Sequence, residues 1–248
     1  MATVSVTTWT ELTTAVNSAT EDTTVELMND INMSDEFPTG ITTRIYSSYK
    51  IIINGNGHKI RNLYSTIPSS SGGVLGASSS NYMEINNLDF ENVYLANSAR
   101  LCYNVKWYNC SFSTRLENSE IGSGEFYYCG LTVYGFAKSY LGYSGGARFY
   151  FCDIELNGEF ANLSGTYSDT YVKGNCTAGT SNVVGRLAII NAAIGFTGDF
   201  KGSGNFILYN SDIITVPSGS TISEKFIPCT TVELMSDSTL LAKSFPLW

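Results

Sequence analysis

The fold is decided by the stretch Trp107-Tyr108-Asn109-Cys110-Ser111-Phe112, because its pattern recurs along the chain. It returns as Phe126-Tyr127-Tyr128-Cys129-Gly130-Leu131 and as Phe149-Tyr150-Phe151-Cys152-Asp153-Ile154. A looser copy is Lys173-Gly174-Asn175-Cys176-Thr177-Ala178. Weaker copies put the cysteine position at residues 31, 58, 88, 192 and 211, so the repeat averages about 22 residues.

Repeats of this length predict short strands that stack coil upon coil. Alternating strands and helices need longer units with helical periodicity, and a hairpin array needs a tight-turn signal at most turns. The sequence has neither pattern. We therefore predict an all-β chain that forms a single-stranded parallel β-helix of about 8–9 coils over residues 1–216. Residues 217–248 are predicted to form a C-terminal cap or tail.

Two columns of the repeat predict how the coils stack. Asparagine tolerates left-handed backbone and hydrogen-bonds along a stack, so it suits a sharp bend between strands. The predicted asparagine ladder is Asn87, Asn109, Asn175, Asn191 and Asn210. Small thiols suit an inward stack, and stacked strand neighbours rarely meet disulfide geometry. The predicted column of free thiols is Cys110, Cys129, Cys152 and Cys176.

Both ends of the chain carry signals of a cap. Thr8 and Glu11 form a capping box, and Leu12, Ala15 and Val16 follow at helical spacing. We predict an amphipathic helix over about residues 8–18 that covers the open end of the solenoid. Residues 240–248, which end in Trp248, are strongly apolar. They are predicted either to cover the last coil or to dock on another protein.

The turn Asn54-Gly55-Asn56-Gly57-His58-Lys59-Ile60, together with the Asn-Cys-x-Phe coils, resembles the pectate-lyase-like superfamily over about residues 8–216. The resemblance implies right-handed coils. That superfamily includes polysaccharide lyases and hydrolases, phage tailspikes and non-catalytic virion proteins. The Met start, small size and cap helix before Asn-rich coils most resemble structural proteins of tailed phages.

Composition excludes several classes of protein. The 248 residues are 43% apolar and 15% charged, with a net charge of −8 and no basic cluster for nucleic acid. No stretch approaches the ~18 apolar residues of a membrane span. The N-terminus lacks a secretory signal, so we expect assembly in the cytoplasm of a host bacterium, with the virion as the final location.

Carboxylates are the strongest catalytic candidates. Asp153 and Glu155 lie two residues apart on one predicted strand face, roughly 7 Å, a separation that an inverting glycosidase pair tolerates. Alternating acids on an exposed strand more often only solvate that face. Asp212 is the third suspect. The single histidine, His58, leaves no partner set for a nucleophilic triad, and no Cys-x-x-Cys predicts a metal. The lyase set of stacked aspartates with an arginine has no match, nor does the hydrolase set. We predict no catalytic site, no cofactor and no metal.

The outward columns before the bend are the predicted contact surface. One carries the tyrosines Tyr108, Tyr127 and Tyr150, and the other alternates in charge through Glu84, Lys106, Glu125 and Arg148. Such pairs stabilise neighbouring strands by a few tenths of a kcal/mol each. Exposed tyrosines also suit a protein interface or a sugar-binding surface.

The sequence thus predicts a non-enzymatic virion component, a capsid decoration or a tail-associated protein. Its predicted partners are capsid or tail proteins, sister subunits in a homotrimer, or a surface glycan, with no nucleic acid and no membrane. Two alternatives remain: a polysaccharide lyase or glycoside hydrolase of the β-helix type, and a carbohydrate-binding adhesin module.

Overall fold

A computed structural model describes residues 1–78, 81–142, 146–196, 200–209, 213–216, 221–226, 232–234 and 239–242, with side chains to residue 179 apart from 137 and 138. The helices in these ranges are α1 (Trp9–Asn17), α2 (Met33–Glu36) and a 3₁₀ turn (Ser69–Ser71). The strands are β1 (Ala2–Val6), β2 (Thr23–Leu27), β3 (Ile31–Asn32), β4 (Ile45–Ser47), β5 (Ile51–Asn54), β6 (Lys59–Arg61), β7 (Tyr64–Ser65), β8 (Leu75–Ala77), β9 (Met83–Asn86), β10 (Asp89–Ala96), β11 (Arg100–Tyr108), β12 (Ser111–Glu117), β13 (Glu120–Tyr127), β14 (Gly130–Tyr140), β15 (Ala147–Tyr150), β16 (Asp153–Asn162), β17 (Gly165–Phe196), β18 (Phe200–Tyr209), β19 (Ile213–Val216), β20 (Thr221–Phe226), β21 (Val232–Leu234) and β22 (Thr239–Ala242). No described helix is long and apolar enough to span a membrane.

The strands form a right-handed parallel β-helix of about eight turns, which confirms the predicted fold class. Two stacks of strands concern function. We call β9, β11, β13 and β15 the ladder sheet, because each pairs in parallel with the strand one coil away. We call β10, β12, β14 and β16 the groove sheet, which is stacked in the same way.

A single left-handed residue makes the bend between the two sheets. We call these residues the bend column; their φ angles lie between 48° and 56°, and they are Asn87, Asn109, Tyr128, Phe151 and Asp169. The predicted asparagine bend is confirmed at Asn87 and Asn109. In the next two coils an aromatic residue adopts the same backbone conformation, which residues other than Gly, Asn and Asp adopt rarely.

Aromatic side chains fill the interior in register. Trp107, Phe126 and Phe149 are fully buried on consecutive strands of the ladder sheet, with ring centroids 6.0 and 5.0 Å apart. Tyr167 continues the stack 5.1 Å from Phe149. Such contacts contribute about 0.5–1.5 kcal/mol each beyond the burial of apolar area, so they fix which residues of successive coils face one another.

Three cysteines form the predicted column of buried thiols. Each Sγ of Cys110, Cys129 and Cys152 donates to the carbonyl oxygen two residues earlier, at 3.4–3.5 Å. Each also reaches a backbone carbonyl of a lower coil, at 3.3–3.7 Å. All five cysteines among the described residues are free and buried. The column is therefore a set of hydrogen-bonded small side chains.

The placement of Cys176 and Asn175 in these columns was wrong. Asp153 pairs with Tyr171, so Thr170 follows Cys152, while Cys176 pairs with Gly158. The Thr170 hydroxyl donates to the carbonyls of Phe149 and Ser168, as the thiols do in lower coils. The physical reason is aromatic packing: Tyr167 extends the core stack, whereas Lys173 would have put a charge there.

Other predicted positions need a correction or lie outside the description. Ile31 pairs with Ile60 and not with His58, so the first repeat is shifted by two residues. Asn191 belongs to β17, but its side chain is not among those described. Four residues that the sequence analysis considers lie outside the described ranges: Asn210, Asp212, Cys229 and Trp248.

The predicted cap helix is confirmed. Helix α1 buries Trp9, Leu12 and Val16, and it packs on β1, β2 and β4. The Thr8 hydroxyl accepts a hydrogen bond from the Glu11 N–H at 3.1 Å, as a capping box requires. The Glu11 carboxylate accepts from the N–H of Thr7 at 2.7 Å, so the reciprocal bond reaches one residue further back.

Candidate functional site

The ladder sheet presents stacked tyrosines on its outer surface. The rings of Tyr108, Tyr127 and Tyr150, which we call the tyrosine ladder, are half-buried. Their centroids are 4.9 and 4.7 Å apart, and neighbouring planes differ by 8°. The structure thus brings these three predicted residues together because their strands pair in register, Tyr108 with Tyr127 and Tyr127 with Tyr150.

Alternating charges run beside the tyrosine ladder, also as the repeat predicts. Lys106 pairs in register with both Glu84 and Glu125, and Glu125 pairs with Arg148. The Glu125 carboxylate lies 3.6 Å from Lys106 Nζ and 2.8 Å from an Arg148 guanidinium nitrogen. Glu84 instead lies 3.4 Å from Lys50 Nζ. These ion pairs hold the coils in register.

Glu125 joins the charges to the tyrosines. The Tyr127 hydroxyl donates to Glu125 Oε2 at 2.9 Å. Partial burial raises the pKa of the Glu125 carboxyl, but the hydrogen bonds from Tyr127 and Arg148 lower it by more, so the net pKa is below its ordinary value. Burial and this same bond raise the pKa of the Tyr127 hydroxyl. The Tyr127 hydroxyl is therefore a neutral donor to a negatively charged Glu125.

The groove sheet carries a shallow polar groove of about 340 Å³. Small side chains occupy its middle, where Ser111 pairs with Gly130 and Ser113 with Thr132. A Cβ atom added at Gly130 would meet nothing within 4 Å. We call this site the polar groove; its other polar lining residues are Glu91, Asp153, Glu155 and Lys173.

The predicted acidic suspects lie at one end of the polar groove. Asp153 pairs with Lys173, whose Nζ is 3.3 Å from Asp153 Oδ2, and both side chains are largely exposed. Glu155 accepts a hydrogen bond from Asn157 at 3.0 Å. Asp212, the third suspect, lies outside the described residues. The structure therefore brings two of the three together on one strand, and both already have a partner within the chain.

A network of ion pairs lies at the other end of the groove. The Glu91 carboxylate contacts Lys59 and lies 2.8 Å from Arg61 Nε, and Arg61 also lies 3.0 Å from Asp30. Hydrogen bonds from Lys59 and then Arg61 lower the pKa of Glu91. Among the described residues, no three His, Cys, Asp or Glu side chains are arranged to hold a metal ion.

Two exposed rings stand at the bend between the tyrosine ladder and the polar groove. Tyr128 is 61% exposed and Phe151 is 52% exposed. Their centroids are 5.2 Å apart and their planes differ by 9°. We call them the bend aromatics. The sequence prediction missed them because it collected asparagines in that column; the signal was the aromatic residue one position before Cys129 and Cys152.

A second asparagine ladder was also missed. Asn62 donates to the side-chain oxygen of Asn32 at 2.9 Å, and Asn92 donates to that of Asn62 at 2.6 Å. Asn62 and Asn92 have φ of 59° and 56°. The spacing of 30 residues between these asparagines was a visible signal, but it lay outside the cysteine-centred repeat. This ladder orders a corner of the first coils, and none of its three asparagines lines the polar groove.

Comparison with known proteins agrees with this architecture. A family model described as a pectate lyase-like adhesive domain matches residues 3–134, slightly more than half of the chain. No curated protein and no solved structure matches the chain. The matched segment covers α1, the early coils, the first two tyrosines of the ladder and the middle of the polar groove. The chain belongs to the family of pectate lyase-like adhesive domains.

Proposed function

We propose that this protein is a non-enzymatic adhesive module, a rigid β-helix that holds a surface through its outward aromatic and charged columns. One observation carries the proposal. Aromatic side chains stand on the outer surface of consecutive coils in register, as the tyrosine ladder and as the bend aromatics. Aromatic rings with a polar edge are enriched where proteins bind partners. The adhesive description of the family supports the same function.

The stacking of the coils suits this role. Parallel coils with buried aromatic cores keep the outer rings at fixed spacing, so little conformational entropy remains to be lost when a partner binds. Ion pairs of Glu125 with Lys106 and with Arg148 connect the strands that carry the tyrosine ladder. A preorganised row of rings along the solenoid matches a repetitive partner, such as a polymer or a lattice of identical subunits.

In its more specific form, the proposal places the module in a bacteriophage virion, as a capsid decoration or a tail-associated component. The resemblance of the cap helix and Asn-rich coils to structural proteins of tailed phages supports this form. The partners would then be capsid or tail proteins, sister subunits in a trimer, or a glycan of the host surface. Mass spectrometry of purified virions from the source tests it: we expect the protein there, and its absence would overturn this form.

The first experiment compares binding with turnover. The purified chain is incubated with intact bacterial cells and with a polysaccharide panel, and both retention and products are measured. We expect retention without new reducing ends or unsaturated products. Turnover that is lost in Asp153→Asn would instead establish the β-helix enzyme and overturn the proposal. A chain that is retained on no cell surface would also overturn it.

Solution mass by light scattering tests the assembly. A stable species near three times 27.0 kDa is expected if sister subunits pack along the tyrosine ladder. In that case Tyr127→Ala should reduce the species to a monomer. A wild-type chain that stays monomeric at all concentrations would exclude the trimer and leave adhesion by single modules.

A further inference from the structure

The bend aromatics adopt a backbone conformation that their residue types disfavour. Tyr128 and Phe151 both have φ of 56°. Left-handed backbone costs a non-glycine residue roughly 1–2 kcal/mol, and Asn or Asp bears that cost best. The same column holds Asn109 one coil below and Asp169 one coil above. The fold therefore accepts the residues that suit this bend, yet two coils carry large rings instead.

Packing within the chain does not account for these rings. More than half of each side chain is exposed. The two rings stack on each other, but the neighbouring coils offer Asn109 and Asp169 and not a further ring. One face of each ring is thus left uncovered by an aromatic neighbour in the column. An exposed, stacked pair kept at strained positions indicates a ligand, because the stack between the two rings leaves more than half of each residue open to solvent.

The polar groove starts two residues after each ring. Tyr128 leads through Cys129 to Gly130, and Phe151 leads through Cys152 to Asp153. The middle of the groove offers the hydroxyl groups of Ser113 and Thr132. Rings beside a row of hydroxyls and carboxylates match a sugar chain, which has apolar C–H faces and polar edges.

The charges of the groove select among glycans. Its lining contains the carboxylates of Glu91, Asp153 and Glu155 and the ammonium group of Lys173. Glu91 is paired with Lys59 and Arg61, whereas Asp153 and Glu155 share one cation, Lys173, so that end of the groove keeps net negative charge. The whole chain has a formal charge of −8. A polyuronate would meet repulsion here, whereas hydroxyl and ammonium groups would find acceptors. The core of a protein interface is instead depleted of charged side chains, which disfavours a second copy as the occupant.

We propose that the bend aromatics and the polar groove together bind a glycan of neutral or amino hexoses. This inference rests on the proposed adhesive function and names its ligand. A hexose ring stacks on Tyr128 or Phe151, and the following sugars run over Gly130 with hydrogen bonds to Thr132, Asp153 and Glu155. Coils repeat every ~4.8 Å along the axis, so the paired residues Thr132 and Glu155 lie one strand spacing apart.

The test measures binding of the full chain to oligosaccharides of neutral hexoses, amino hexoses and uronates. We expect binding to the first two classes and none to uronates. The double variant Tyr128→Asn/Phe151→Asn should bind at least about tenfold more weakly, since two aromatic contacts are lost. Its melting temperature should equal or exceed that of the wild type, because Asn suits the bend. Tyr49→Asn, which removes a ring that is 41% exposed elsewhere, should bind as the wild type does.

Several results would overturn the inference. These are equal binding by the double variant, preference for uronates, or a double variant that unfolds at lower temperature. Self-association of the wild type that the double variant abolishes would identify a second copy as the occupant. Retention on cells with no binding to any oligosaccharide would reject the glycan and leave the adhesive function standing. The cell assay alone decides that function.

Discussion

The Tyr127 hydroxyl donates a hydrogen bond to Glu125 two residues earlier on the same strand, with 2.9 Å between the oxygens. Through this contact the stacked tyrosines and the alternating charges become one network, since Glu125 also pairs with Lys106 and Arg148. The ladder sheet is therefore held together on its outer surface as well as through its core. A substitution at Glu125 should therefore weaken contacts between three successive coils.

The stability of the protein should depend on pH through Glu125. Its folded pKa lies below the ordinary value of 4.5, so the unfolded chain binds more protons in the range between them. The stabilisation that Glu125 gives the folded state is complete above its unfolded pKa and is lost as the pH falls through its folded pKa. Glu125→Gln should lower the free energy of unfolding by about 1 kcal/mol at pH 7 and by little at pH 3. Urea titrations across this range measure the difference.

Tyr127→Phe is the matched control for that experiment. It removes the hydroxyl donor and keeps both the ring stack and the charge of Glu125. The pH-dependent part of the stability should shrink but not vanish, because Lys106 and Arg148 remain. An unchanged pH profile in Glu125→Gln would show that the network contributes nothing to folding.

The buried thiols should be inert in the folded protein. Burial raises the pKa of Cys102 and of Cys176 to about 12. The hydrogen bond with Cys129 lowers the pKa of Cys110, but that thiol is only 2% exposed, so a reagent cannot reach it. Since the thiolate is the reactive species, a chain with Cys229→Ser should not react with a disulfide reagent at pH 8. The same chain in guanidinium should expose five reactive thiols. A fast-reacting thiol in the folded state would contradict the burial of the column.

The glycine-rich turn should tolerate no side chain at Gly55. A Cβ atom there would lie 2.4 Å from the carbonyl oxygen of Asn87 and 2.5 Å from the Cβ of Leu88. Because backbone has to shift to relieve this, Gly55→Ala should lower the free energy of unfolding by roughly 2 kcal/mol or more. Gly130→Ala is the control, with no atom within 4 Å of the added methyl. Thermal and urea unfolding should separate the two variants clearly.

The register of the upper coils predicts the behaviour of Thr170. Its hydroxyl accepts from the N–H of Cys152 and donates to the carbonyl of Phe149. Thr170→Val should lower the free energy of unfolding by roughly 1–3 kcal/mol, because the buried N–H of Cys152 and carbonyl of Phe149 lose their hydrogen-bond partner. Thr170→Cys should cost much less, since it extends the cysteine column by one coil. Equal losses in both variants would argue against this register.

Much of the fold was predictable because one residue pattern is repeated under the same physical constraint. Trp107, Phe126 and Phe149 recur at the inward position since each coil needs a large side chain to cover the one below. Their spacing places the strands, and the capping box places α1. These features depend on local sequence, which is why they could be read without coordinates.

The sequence predictions failed where the residue pattern and the packing of the core favoured different registers or different residues. Asn175-Cys176 copies the motif, but Tyr167 fills the aromatic column, and packing decides the register. The bend aromatics were missed for the opposite reason: Tyr128 and Phe151 do not look like bend residues by propensity. A side chain that defies its backbone preference becomes visible as a candidate for function only when its φ angle and exposure are known.

The direction of the inter-coil hydrogen bonds has a mechanical consequence. In a parallel β-helix these bonds run along the solenoid axis, from each strand to the strand one coil away. A pull along the axis loads one layer of bonds after another and peels coils singly. A pull across the axis, as from a ligand held on the groove sheet, loads many bonds of a coil together in shear. If the proposed ligand binds the groove sheet, its detachment under load has to break the hydrogen bonds of a whole coil together.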